Sequence, residues 1–191
     1  MKEKLRKLIQ DFKPFNEQEA KDKEVFLKYI DEFDDVLTRN NEFGHFTSSA
    51  FIVNPARTKI LMVHHNILDS WAWPGGHVDG ESDFLSVALR ETREETSVEN
   101  PQPVSNDIFV IDTLPVPGHF KKGKYVPAHT HLDVGYLLEV DEGETLHDQA
   151  DENTGVKWFL MSEVIDAIDS AADKVLIRKC IDKLRLPKEE K

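Results

Sequence analysis

The amino-acid sequence predicts an α/β protein in which a mixed β-sheet is packed between helices. Three observations carry that reading. Apolar residues at helical spacing mark both ends of the chain, strand-like runs recur between them, and a glycine-bearing turn at 74–76 feeds an amphipathic helix near the middle. That order suits a sheet with helices on its faces.

Residues 1–43 read as helical. Leu5, Ile9 and Phe12 form one stripe, and Val25, Phe26, Tyr29, Ile30, Phe33, Val36 and Leu37 form a second, with Pro14 between them. We divide the chain there: a helical extension at 1–43, expected to pack on the domain or to serve as a lid or dimer surface, and a main domain at 44–191. The run 46–53 reads as a strand, Asn54-Pro55 as a turn and 59–65 as a second strand, which together make a hairpin. His64 and His65 are adjacent on that strand and point to opposite faces, so they read as ordinary half-buried histidines. Trp71 and Trp73 share one side of an extended segment before Pro74-Gly75-Gly76. They either wall a pocket for a base or sugar or pack at the strand end.

Beyond the central helix, Pro101 and Pro103 force an extended connection, and 108–114 reads as a strand. Lys121, Lys122 and Lys124 stand in a loop at 116–127, a basic patch in an acidic protein that could reach phosphates. A long strand at 128–140 alternates His129, His131 and Asp133 onto one face. Two histidines and a carboxylate could hold a transition metal, but no cysteine or third histidine stands at a suitable spacing. An acidic loop at 141–153 precedes a last strand at 155–160 and helices at 163–168 and 173–186, the latter ending before Pro187.

With 191 residues, 39% hydrophobic and 31% charged, the chain suits one soluble domain with a real core. Its net charge of -12 argues against a broad nucleic-acid footprint, which rewards clustered Lys and Arg. Small anionic ligands stay accessible through a metal. Cys180 is the single cysteine, so no intrachain disulfide forms, and its apolar neighbours Leu176, Ile177, Ile181 and Leu184 predict a buried thiol. The N-terminus lacks the apolar run of a secretion signal, and no stretch is long enough to cross a bilayer; a cytoplasmic protein without membrane partners is expected.

The chemistry centres on residues 73–98. At about 100° per residue, Phe84, Leu85, Ala88, Leu89 and Thr92 share the face expected to meet the core. Glu91, Glu94 and Glu95 fall on an adjoining flank, Glu95 nearest the apolar boundary. Like charges at these spacings destabilise a helix, and a hard divalent cation offsets the repulsion. The glycines before the helix let the backbone approach a ligand or metal closely.

Gly-Gly, an acidic turn and Arg90-Glu91-Thr92-Arg93-Glu94-Glu95 resemble the Nudix box, with the pattern G-x5-E-x7-R-E-U-x-E-E-x-G-U, where U is a bulky apolar residue. The spacing is irregular: counted forward from Gly75, Glu81 takes the early glutamate position but lies one residue too far from Arg90. Thr92 replaces an apolar residue and Ser97 the late glycine.

The resemblance implies a Nudix-type α/β/α sandwich and hydrolysis of a diphosphate linkage in a nucleoside diphosphate derivative. It implies that Glu91, Glu94 and Glu95, with the Gly75 carbonyl, hold Mg²⁺ or Mn²⁺. Arg90 would position the glutamates, and a carboxylate of the box or of the 141–153 loop, Glu152 or Asp151, would accept a proton. Trp73, His131, Asp133 and Lys122 would contact a small nucleotide substrate. A homodimer through the N-terminal helices also fits. A catalytically silent ligand-sensing or metal-binding module on the same fold is the alternative, motivated by the irregular spacing. The isomerase branch of the fold needs a catalytic cysteine, and Cys180 is badly placed for that role.

Overall fold

The structure is a computed structural model describing residues 2–66, 69–121, 123–149 and 153–185. In chain order its elements are α1 (Lys2–Asp11), α2 (Glu17–Glu32), β1 (Gly44–Val53), β2 (Lys59–His65), β3 (Ser70–Ala72), β4 (Gly75–His77), α3 (Phe84–Thr96), β5 (Gln102–Pro103), β6 (Val110–Val116), β7 (His119–Lys121), β8 (Lys124–Val126), β9 (His129–Glu139), β10 (Asn153–Leu160), α4 (Val164–Ala167) and α5 (Ala171–Arg185). β1 pairs antiparallel with β2 and β4, β2 with β3 and β10, and β9 with β5 and β6. β1 and β9 are also neighbours. Their flanks bond at a constant offset, Thr130 N–H to Phe43 O and Val140 N–H to Val53 O, which makes this pair parallel. The result is a mixed β-sheet flanked by helices, with an N-terminal helical extension.

The chain divides into two compact units. The first comprises Met1–Ser49, Gly75–Arg90 and Ser105–Tyr136. Here α1 buries Leu5 and Ile9, and α2 buries Phe26 and Ile30. Asn16 caps α2 by accepting the Glu19 N–H at 2.9 Å. Phe46 of β1 meets Phe26 edge-on, with centroids 5.3 Å apart, and Phe84 of α3 at 5.6 Å. Aromatic residues of two helices and one strand thus share a core.

Helix was expected to continue to about residue 43, but α2 ends at Glu32 and Phe33 is extended. Asp35 explains this locally. Its carboxylate accepts the Thr38 N–H and hydroxyl, and its carbonyl accepts the Asn41 side-chain amide. Short polar side chains here offer the backbone partners other than a helical ladder. Val36 and Leu37 are still buried, but from turns.

The basic segment expected as a plain loop holds a hairpin, β7 against β8, pairing His119 with Val126 and Lys121 with Lys124. Lys122 lies outside the described residues.

The second unit comprises Ala50–Pro74, Glu91–Val104 and Leu137–Lys191. Its β1–β2 hairpin has the expected turn, where Asn54 Oδ1 accepts the N–H groups of Thr58 and Lys59, each at 2.8 Å. Trp71 packs edge-on to Phe159 at 4.8 Å and to His64 at 5.2 Å, so this tryptophan belongs to the packing between strands. α5 buries Ile177, Cys180 and Ile181, matching the expected buried thiol.

Candidate functional site

The central helix begins where the sequence stops favouring extended chain. Asp83 accepts the Ser86 N–H at 3.1 Å and the Ser86 hydroxyl at 2.8 Å, capping the first turn of α3. The turn before it is set by two left-handed residues, Asp79 (φ 46°) and Gly80 (φ 93°), and Arg39 grips the Asp79 carboxylate through two bonds of 2.9 and 2.8 Å. Arg90 donates to Glu81. The extra residue in the 75–90 spacing is therefore absorbed in the bend at 82–83 ahead of the cap, and Glu81 still meets Arg90. Gly75 sits where no side chain fits: a Cβ there would lie 2.6 Å from that of Ser49.

The buried face of α3 is rotated from the expected one. Phe84, Ala88 and Thr92 are buried as predicted, but Val87, Glu95 and Thr96 join them while Leu85 and Leu89 are only half-buried. The glutamates consequently differ. Glu94 is exposed, Glu91 half-buried and Glu95 only 5% exposed. Glu95 is further fixed through its backbone carbonyl, which accepts the Asn153 side-chain amide at 2.9 Å. Glu152 and Asp151 lie outside the described residues, and Trp73 is half-buried between β3 and β4.

After the helix, Ser97 adopts φ 61° while its N–H bonds to Arg93 O at 3.0 Å. A serine thus occupies a conformation that glycine adopts without strain, which explains the residue type that the box pattern prefers there. Ser97→Gly should raise stability by about 1 kcal/mol, read as an upward shift of the urea midpoint at constant slope; an unchanged or lower midpoint would show that the serine side chain compensates.

The first unit also carries a polar face that sequence reasoning saw only in part. His45, Thr47 and Ser49 alternate along β1, Thr47 and Ser49 lie opposite His77 and Gly75 of β4, and β9 contributes His131 and Asp133. Asp133 is 3% exposed and accepts the hydroxyls of Thr47, at 2.7 Å, and Ser49. Beside it, ligand-capable nitrogens of His45, His77 and His131 all lie within 4.8 Å of one another. His129 joins them, with Nε2 3.2 Å from His131 Nε2. Burial, reinforced by the neighbouring imidazoles, holds His131 far down, at about 2, and His77 at about 4, and burial also lowers His45. Burial thus favours the neutral form of His45, His77 and His131.

The third histidine that the β9 pattern lacked comes from other strands. His45 and His77 were missed because they meet His131 only through the sheet. The signal was present as His-x-Thr-x-Ser and His-x-His-x-Asp, chemistry-bearing polar residues at every second position of two strands.

The NUDIX domain pattern matches residues 44–180, most of the chain, and the protein belongs to the NUDIX family. Among curated relatives, the chain is 29% identical over 86 residues to a probable DHNTP pyrophosphohydrolase of Lactococcus lactis, covering 45% of this chain and 49% of that protein. It is 29% identical over 101 residues to an RNA pyrophosphohydrolase of Pelagibacter ubique (51% and 64%) and 31% over 102 residues to the asymmetrical bis(5'-nucleosyl)-tetraphosphatase of Mus musculus (53% and 59%). The matches thus span about half to just under two thirds of each relative. The fold resembles a C. elegans Ap4A hydrolase, with a TM-score of 0.54 at 23% identity over 73% of this chain and 96% of that one. It also resembles a NUDIX hydrolase from Clostridium perfringens, at 0.53 and 20% over 74% and 98%. Among the described residues no helix is long and apolar enough to cross a membrane.

Proposed function

We propose that this protein is a metal-dependent hydrolase that cleaves the diphosphate linkage of a nucleoside diphosphate derivative, giving a nucleoside monophosphate and a second phosphorylated product. The observation that carries this reading is the Arg90-Glu91-Thr92-Arg93-Glu94-Glu95 run on one capped helix within a NUDIX domain. The activities for which the three relatives are named, two pyrophosphohydrolases and a tetraphosphatase, support the bond class.

Glu91, Glu94 and Glu95, with the Gly75 carbonyl, are the proposed ligands of Mg²⁺ or Mn²⁺. All are hard oxygen donors, which fits such a cation. The bound cation neutralises phosphate charge and lowers the pKa of coordinated water. Glu95 is 5% exposed, so a cation held there would be shielded from bulk water on that side. Arg90 pairs with Glu81 and is the proposed positioning residue for the glutamates of the box. A carboxylate of α3 or Glu152 accepts the proton of the attacking water. Trp73, Lys122 and His131 are the proposed substrate contacts, with Asp133 bracing the face on which His131 stands.

The test is a panel of nucleotide sugars, ADP-ribose, oxidised nucleoside triphosphates and dinucleoside polyphosphates, incubated with Mg²⁺ or Mn²⁺ and resolved by product. The expected result is cleavage of at least one member at a phosphoanhydride bond, abolished by chelator and restored by the metal. No turnover on any member would favour the silent ligand-sensing module.

A further inference from the structure

Five of the chain's eight histidines gather in the first unit. His45 lies 4.9 to 5.0 Å, centroid to centroid, from each of His77, His129 and His131; His77 and His131 are 4.9 Å apart, and His119 flanks His129 at 6.4 Å. Such a crowd of imidazole rings needs a reason. Apolar side chains would fill a sheet face with less desolvation cost than buried imidazoles that lack full sets of hydrogen bonds.

The tautomers point to an acceptor set. His45, 4% exposed, faces the Asn41 carbonyl with Nδ1 at 3.3 Å, so Nδ1 carries the proton and Nε2 presents a lone pair. That Nε2 is buried and has no hydrogen-bond partner among the described residues. His129 repeats the arrangement, its Nδ1 2.9 Å from the Pro127 carbonyl, which leaves its Nε2 lone pair turned toward His131 Nε2 at 3.2 Å. Two lone pairs cannot face each other at that separation. A proton on His131 or a cation beside both nitrogens is required. Metal-bound histidines ordinarily donate their other ring nitrogen to a carbonyl or carboxylate in this way.

We propose that His45, His77 and His131 form a binding site for a zinc-class divalent cation, separate from the carboxylates of α3. Three neutral imidazoles are borderline-soft ligands that suit Zn²⁺, Co²⁺ or Ni²⁺ and do not suit Mg²⁺, which takes oxygen. Nitrogens bound to a tetrahedral ion at about 2.0–2.1 Å lie about 3.3 Å apart, so the present spread of up to 4.8 Å closes by small ring rotations. His129 stands at the fourth side. The ion ties β1, β4 and β9 together through one residue of each, and β4, only three residues long, gains the most from that tie. His131 then engages the metal in place of substrate. The site does not rest on the assignment of the α3 glutamates, and it replaces only the substrate contact proposed for His131.

The test uses tag-free, chelator-stripped full-length protein titrated with Zn²⁺ and, separately, with Co²⁺. With excess Mg²⁺ present to compete for the carboxylates of α3, one equivalent should bind tightly, Zn²⁺ should raise the melting temperature, and the Co²⁺ form should show the intense visible absorption of a tetrahedral centre. X-ray absorption of the zinc form should show a first shell containing at least three imidazole nitrogens. His77→Ala and His131→Ala should each weaken binding by about 100-fold or more, beyond the 10–100-fold typical of outer-shell partners, whereas His147→Ala, which removes an exposed histidine, should bind zinc as the wild type does. Because the spectra are taken on wild-type protein, a histidine variant that fails to fold leaves the test intact. An oxygen-dominated shell, loss of zinc in His147→Ala, retention in folded His77→Ala, or an adventitious ion only, bound without defined stoichiometry, would each overturn the site.

Discussion

Glu94→Gln and Glu95→Gln should each lower the rate of diphosphate hydrolysis by about 10²–10⁴-fold or more at saturating metal, with the melting temperature nearly unchanged. Gln keeps the size of the side chain and removes the anionic oxygens, so the substitution separates metal holding from packing. The two positions differ in what else they report. Glu94 is exposed, and its replacement should leave stability within about 0.5 kcal/mol. Glu95 is 5% exposed, so its replacement tests whether a buried carboxylate can be neutralised without disturbing the end of α3, where its carbonyl holds Asn153. Steady-state kinetics across a metal titration give the answer. Wild-type turnover in both variants would remove these glutamates from the chemistry, and a loss cured by raising the metal concentration would assign them to affinity alone.

Phe26→Ala should cost about 3–5 kcal/mol, the range for deleting a large aromatic from a packed core. Phe26 is fully buried, and its ring meets Phe46 of β1, which in turn meets Phe84 at the start of α3. Domains of ordinary stability have only about 5–15 kcal/mol in hand, so this change should lower the melting temperature by about 10 °C or more. Urea denaturation followed by tryptophan fluorescence and by circular dichroism checks it. A shift under about 1 kcal/mol would show that α2 contributes little to the core of the first unit and behaves as an appendage.

The central helix and the long strands were legible because their signals are local. Apolar spacing identified α3, the strand-like run at 59–65 identified β2, alternation marked β9, and Asn54-Pro55 identified the hairpin turn. What was hidden depended on partners remote in the chain or on competition within a few residues. Asp35 and Asn41 end the helical region by bonding locally, against an apolar stripe that by itself reads as helix through Leu37. The buried face of α3 turned toward Val87 and Glu95 because packing, and not the count of apolar residues, decides which arc is covered. His45 and His77 carry no shared motif in the sequence, and only the registers of β1 with β4 and the neighbourhood of β9 bring them to His131. The Glu81–Arg90 pair was obscured by one surplus residue that the bend before α3 accommodates.

The most direct measurement is anomalous diffraction at the manganese edge from crystals soaked with Mn²⁺ and a non-hydrolysable diphosphate analogue. The account predicts a peak bonded to carboxylate oxygens of Glu91, Glu94 or Glu95 at about 2.1–2.2 Å and bridging to the analogue. A manganese peak seated only on the imidazoles of His45, His77 and His131, with the three glutamates bare and the analogue elsewhere, would contradict it.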